Sequence, residues 1–213
     1  MRNIIFALLL VLLTGCTTLV HTRVSAFHEL EQPLSDVTYI FVPAKEQEGN
    51  LEFKTYARLI KAEMRKRGMV ESAYDQATFA IFISYGIDDG KQVVSSYPIY
   101  GQTGTGNSYT TGRVTSYGST ASYSGTTTRS PTFGIVGSGT RTDTVYARYL
   151  KISIVDTAKS GNGKLNYVYE GTVISSGQTG QLAPVMPAMI RSVFEDFPGK
   201  SGASRTSRQP LGE

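Results

Sequence analysis

Cysteine is all but missing from this 213-residue chain, where Cys16 stands alone. One cysteine excludes an intramolecular disulfide framework and a multi-thiolate metal site. Histidine is nearly as scarce: only His21 and His28 occur, and no HExxH pair exists. Seven residues apart on an extended segment, they point to opposite faces, so they cannot hold one metal together. Nothing in the sequence calls for a cofactor or a metal. Charge of either sign is also in short supply, with a net +4 from 21 basic and 17 acidic residues. That is too small and too dispersed for a nucleic-acid-binding surface. Tryptophan is absent, so aromatic surface must come from 13 tyrosines and 9 phenylalanines. Beyond residue 13 no long apolar run occurs, so the remainder offers no membrane-crossing stretch.

What is present begins at the N-terminus. Arg2 precedes an apolar run over residues 4–13, followed by small residues and Cys16. This is the layout of a secretory signal, and the run is too short to span a bilayer as a mature helix. Leu13-Thr14-Gly15-Cys16 resembles the lipobox of bacterial lipoproteins. The resemblance implies a signal peptide over 1–15, removed before Cys16, and a diacylglycerol on the Cys16 thiol. Two or three acyl chains anchor stably where one does not, since each buried CH₂ contributes roughly 0.8 kcal/mol. Acylation also leaves no thiol for nucleophilic or redox chemistry. Thr17 follows the cysteine where an aspartate would suggest inner-membrane retention. The expected place is therefore the inner leaflet of the outer membrane, facing the periplasm.

The mature chain reads as one α+β domain over 16–198. Residues 19–30 alternate like a strand with one more apolar face, and residues 38–42 form a second strand stopped by Pro43. Phe53, Tyr56, Ala57, Ile60 and Met64 recur at three- and four-residue steps, which predicts a helix over 51–67. Gly68 suits its C-terminal cap. The basic cluster Lys61, Arg65, Lys66 and Arg67 reads either as complement to the helix dipole or as a lipid-binding patch, and the first is favoured. Residues 78–87 predict a central strand, Asp88-Asp89-Gly90 a turn, and residues 92–100 its returning partner. Two further strands, 145–155 and 165–175, form a hairpin. Pro184 is expected at the first turn of a final helix ended by Pro198-Gly199, and 199–213 reads as a disordered tail. The predicted architecture is a two-layer sandwich: a mainly antiparallel sheet of five or six strands with two amphipathic helices on one face.

Composition changes over 101–142. About two-thirds of these residues are Gly, Ser or Thr, and none is acidic. Such a stretch reads either as a flexible loop or as a protruding β-arm. Its threonine content and the parity of Tyr109, Thr111, Arg113, Thr115 and Tyr117 favour the arm, with a turn near Gly118-Ser119 and a return limb near 121–129.

The search for chemistry is negative. Ser138 in Val136-Gly137-Ser138-Gly139 lacks the first glycine of G-x-S-x-G. Gly199-Lys200-Ser201 mimics the end of a phosphate loop, but Phe194 stands where that loop needs glycine. Asp88-Asp89 and Glu195-Asp196 are adjacent acids that do not face one bond as a glycosidase requires.

Several segments together resemble a bacterial lipoprotein family, that of the domain-of-unknown-function 4136 type. They are the early strand with Tyr39 and Pro43, Ala80-Ile81-Phe82-Ile83-Ser84-Tyr85, the run from Leu150 to Asp156 with Tyr169-Glu170-Gly171, and Pro187 through Phe197-Pro198-Gly199. These motifs are structural and imply no catalytic residue. The expectation is a non-catalytic binding or structural module tethered to the envelope, not an enzyme. It would touch an envelope protein, or a second copy of itself, through Tyr109, Tyr117 and Tyr123 of the arm. An accessory subunit of an export or envelope-assembly system is the alternative, and a cell-wall glycan hydrolase a more distant one.

Overall fold

A computed structural model describes residues 18–161 and 163–212. Cys16 and the signal segment lie outside the described residues. The chain divides into two units: one runs to Lys91 and resumes at Val145, and the other is Gln92–Thr144.

The first unit is an α+β sheet-and-helix domain. Its strands are β1 (Leu19–His28), β2 (Thr38–Phe41), β3 (Val70–Glu71), β4 (Phe79–Ile87), the later part of β6 (Thr120–Gly161), β7 (Lys164–Gly177) and β8 (Ala203–Pro210). They lie in the order β3-β2-β4-β6-β7-β1-β8. The expected five or six mainly antiparallel strands are thus corrected to a mixed sheet, eight-stranded with β5 (Lys91–Tyr117). β2 pairs in parallel with both β3 and β4, and β1, β7 and the later part of β6 pair antiparallel. The helix between β2 and β3 supplies the crossover that parallel neighbours need.

Two α-helices, α1 (Leu51–Arg65) and α2 (Met186–Phe194), cover one face. The α1 stripe is the one expected, with Phe53, Tyr56, Ala57, Ile60 and Met64 all buried. Asn50 caps its start, accepting from Glu52 N at 2.7 Å. Gly68 ends it at φ +80°, and Met69 N reaches back to the Met64 carbonyl at 3.2 Å. A Cβ at Gly68 would also sit 3.1 Å from Ser35 Cα. Gly68→Ala is therefore expected to cost roughly 1–2 kcal/mol, read as a lowered urea midpoint at unchanged slope. The basic cluster is largely paired: Lys61 with Glu71, Lys66 and Arg67 with Glu63. Arg67 also donates to the Phe194 carbonyl and stacks over that ring at 5.0 Å, tying the two helix ends together. Pro184 precedes the N-cap Val185 of α2, and Pro187 occupies its first turn.

Register explains why one face is core. Antiparallel partners share a face, so the ladders define rows across four strands. Ile81, Ile154, Tyr169 and His28 form one row; Ile83, Ile152, Gly171 and Ala26 the next; Tyr85, Leu150, Val173 and Val24 a third. Nearly all are buried under the helices. The opposite face alternates outward, where Arg23, Ile174 and Tyr149 form a row beside Gly86.

Two expectations fail here. Residues 92–100 do not return along β4; the stretch Arg148–Asp156 of β6 takes that position. Nor is the stretch after residue 198 a disordered tail. β8 pairs with β1 from Leu19↔Pro210 to Ala26↔Ala203. Backbone bonds hold it, supplemented by Arg205, which donates to the Ser192 and Val193 carbonyls and to Glu195. None of these bonds needs an apolar pattern.

The second unit is a two-stranded hairpin. β5 ends at Tyr117 and β6 starts at Thr120, with Gly118 at φ +63° in the turn. The turn lies where the sequence put it.

Candidate functional site

Both histidines of the first unit take the expected opposite faces of β1. His21 is exposed, whereas His28 stacks 6.2 Å from Tyr169 and its Nε2 lies 2.9 Å from the Gly199 carbonyl. Asp88 is a turn residue: its Oδ1 accepts from Gly90 N and Ala147 N. Glu195 is committed to Arg205. Ser138 lies exposed on the hairpin unit. Among the described residues, no group of three His, Cys, Asp or Glu side chains is placed to hold a metal. No described helix is long and apolar enough to cross a membrane.

Tyr109, Tyr117 and Tyr123 all lie exposed on the hairpin. They do not form one cluster. Tyr109 and Tyr117 share a parity on β5, about 27 Å apart along the strand. Tyr123, on β6, lays its ring over Gly112 and Gly125, where any Cβ would collide with it. Gly112 has the other parity of β5, so Tyr123 faces away from Tyr109 and Tyr117. Tyr97 covers Gly139 in the same manner. This pairing gives the Gly/Tyr composition a physical reason: glycine leaves a gap in the pleat and a cross-strand ring fills it. No residue of Gln92–Thr144 is fully buried.

A second candidate was not anticipated. The fourth row of the covered face reads Ile87, Arg148, Ser175, Thr22 and Ser207 from β4 to β8. Four of its five residues are polar, and all four are buried. Ser192 of α2 closes over them: Thr22 donates to Ser192 Oγ at 2.8 Å, and Ser192 donates to the Ala188 carbonyl at 2.9 Å. This seam holds five of the six buried polar residues among those described. Arg148, 3% exposed, has no carboxylate in contact; its Nη2 donates to the carbonyls of Gly177 and Thr179. Burial lowers its pKa from the ordinary arginine value, and the Asp88 carboxylate offsets part of that shift. Arg148 Nε and Ser175 Oγ, both buried, have no hydrogen-bond partner. Both residues line a cleft of 330 Å³ with Thr18, Val185 and Leu211.

The sequence carried a signal for this seam. Thr22 shares parity with Val20 and Val24, Arg148 with Leu150 and Ile152, and Ser175 with Val173. Polar residues at core-parity positions are the informative exceptions. On the other face, His21, Arg23, Ile174 and Arg208 line a shallower basic cleft of 480 Å³.

Sheet, helices and seam define a two-layer α+β domain whose core carries a buried polar row, together with a long β-hairpin unit. The chain belongs to the family described as domain of unknown function DUF4136, whose model matches residues 34–199. No curated protein matches it. Among solved structures, a PDZ domain protein from Parabacteroides distasonis ATCC 8503 is similar at 13% identity and a TM-score of 0.43. That match covers 90% of this chain and 39% of the other, so this chain spans well under half of that protein's length.

Proposed function

We propose that this chain is a lipid-anchored envelope lipoprotein, held through Cys16 at the inner leaflet of the outer membrane and facing the periplasm. There it acts as a non-catalytic binding module, and its hairpin unit contacts another envelope protein. The observation that carries the reading is that no residue of the Gln92–Thr144 hairpin is buried and that its tyrosines are exposed. Isolated two-stranded hairpins are marginal in water, and this one has neither a third strand nor a helix over it within its own unit. Tyrosines supply large contact area at small entropic cost, and unpaired strand edges accept a partner strand. The anchor is supported by the Leu13-Thr14-Gly15-Cys16 motif and the apolar run before it.

Two variants of the full chain test this in cells. Cys16→Ala is expected to abolish palmitate labelling and to move the protein from the membrane fraction to the soluble one. Replacing residues 105–128 by Asn-Gly is expected to remove at least one crosslinked protein while leaving the membrane fraction unchanged. Palmitate labelling that survives Cys16→Ala would remove the anchor from the reading. A crosslink pattern unchanged by the shortened hairpin would remove the contact surface. A second copy of the chain as the lost crosslink would identify self-association.

A further inference from the structure

We infer that the cleft at Arg148 and Ser175 binds an oxyanion, a phosphate or carboxylate group, with Arg148 as its charge partner and Ser175 as a second donor.

The argument starts from donors without acceptors. Arg148 and Ser175 are direct register partners across β6 and β7, so their side chains lie side by side on the covered face. They are 3% and 2% exposed. A guanidinium Nε–H can only donate, and a serine hydroxyl donates readily. Leaving two such groups buried without partners is costly, and most folded proteins avoid it. Here both unpartnered atoms belong to residues that line the same 330 Å³ cleft. A ligand that satisfies them must bring acceptor oxygens.

Charge narrows the choice. The Arg148 guanidinium has only the neutral carbonyls of Gly177 and Thr179 as hydrogen-bond partners, and Asp88 acts on it without an ion-pair contact. An uncompensated buried cation favours an anion over a neutral acceptor. Charge-assisted bonds from arginine to phosphate or carboxylate are about twice as strong as neutral ones. The neighbouring Thr22 and Ser192 do not compete for the ligand, because Thr22 already donates to Ser192.

A small solute and a lipid headgroup both present this chemistry. Thr18, two residues along the chain from Cys16, lines the cleft. The lipid source rests on the anchor proposed above; the solute source does not.

The test uses the full chain in dodecylmaltoside micelles, with inorganic phosphate and acetate as soluble probes and phosphatidylglycerol doped into the micelles as the lipid probe. Sodium chloride at equal ionic strength and phosphatidylcholine serve as controls. A rise in melting temperature that grows with the logarithm of probe concentration is expected, roughly 3–6 °C at ten times the dissociation constant. A rise beyond the controls with phosphate or acetate assigns a solute; a rise with phosphatidylglycerol alone assigns a headgroup. Arg148→Gln is expected to abolish the rise. Ser175→Ala, which removes only an unpartnered hydroxyl, is expected to melt no lower than the native protein and to weaken binding severalfold. It decides the matter should Arg148→Gln fail to fold. A seam satisfied by water alone would give no rise beyond the controls with any of the three probes, and that overturns the proposal. So does unchanged affinity in Ser175→Ala and in any folded Arg148→Gln.

Discussion

Ending the chain after Gly199 is expected to destabilise the first unit by about 4–5 kcal/mol, the size of the largest single-site effects, and to raise the mass of the species in solution through edge-to-edge association. β8 supplies the outer partner for β1 over the whole stretch Leu19–Ala26. Without it, β1 becomes a long, unpaired edge, the feature that natural sheets take care to blunt. The loss reaches the helix layer as well. Arg205 donates to the carbonyls of Ser192 and Val193, and both residues are buried. The Pro210 carbonyl accepts from Arg191 at 2.6 Å. Arg205→Ala alone is expected to cost about 2 kcal/mol, because it leaves acceptors at the end of α2 without donors. Urea unfolding followed by far-UV circular dichroism gives the stability, and light scattering gives the mass. A truncated protein with the midpoint and the association state of the full chain would show β8 to be dispensable. The same contacts set a sign for pH. The Ser207 hydroxyl, and more weakly the Arg205 guanidinium, hold the Glu195 carboxyl below its ordinary value of 4.5. A depressed carboxylate stabilises the fold above its unfolded pKa, and the contribution fades as pH falls through the folded one. Glu195 is half exposed, so the effect is small beside that of the strand itself.

β8 also shows which parts of this fold can be read from sequence. Helix α1 was legible because five apolar residues fall on one stripe and all five are buried. β1 was legible because its parity separates Val20, Val24 and Ala26 from His21, Arg23 and Phe27. The hairpin turn was legible from Gly118-Ser119. Ala203–Pro210 offers no such cue: it is an edge strand whose one buried residue is Ser207. Partner choice was equally hidden. Chain proximity favours β4 with the segment after it, yet β4 pairs with Arg148–Asp156. Those residues carry Leu150, Ile152 and Ile154, which can fill the core. The segment over 92–100 stays exposed, its Val93, Val94, Tyr97, Ile99 and Tyr100 included. The polar seam lay between these cases. Each of its residues stood at a core-parity position, but only register shows that Thr22, Arg148, Ser175 and Ser207 fall on one line. In the hairpin unit, composition announced a β-arm, whereas the stacking of Tyr123 over two glycines depends on cross-strand register, which composition does not carry.

The Tyr169-Glu170-Gly171 segment should be the most sensitive place in the core. Tyr169 is 2% exposed, lies 4.9 Å from Phe197, and folds its ring over Gly171, two residues along the same face. A Cβ at Gly171 would sit 2.7 Å from Tyr169 Cε1. The ring has nowhere to retreat, because Phe197 and His28 flank it. Gly171→Ala is therefore expected to cost about 1–3 kcal/mol through overpacking, with no backbone strain involved. Tyr169→Ala is expected to cost about 3–5 kcal/mol through the opposite fault, a cavity between sheet and helix layer. The two faults should compensate. In the double variant the alanine methyl at 171 meets no ring, so the combined loss should fall short of the sum by 1 kcal/mol or more, within the usual span for touching residues. Urea midpoints of the four proteins measure that coupling. Strict additivity would show that the ring does not rest on Gly171 in solution, and that the glycine serves the strand backbone instead.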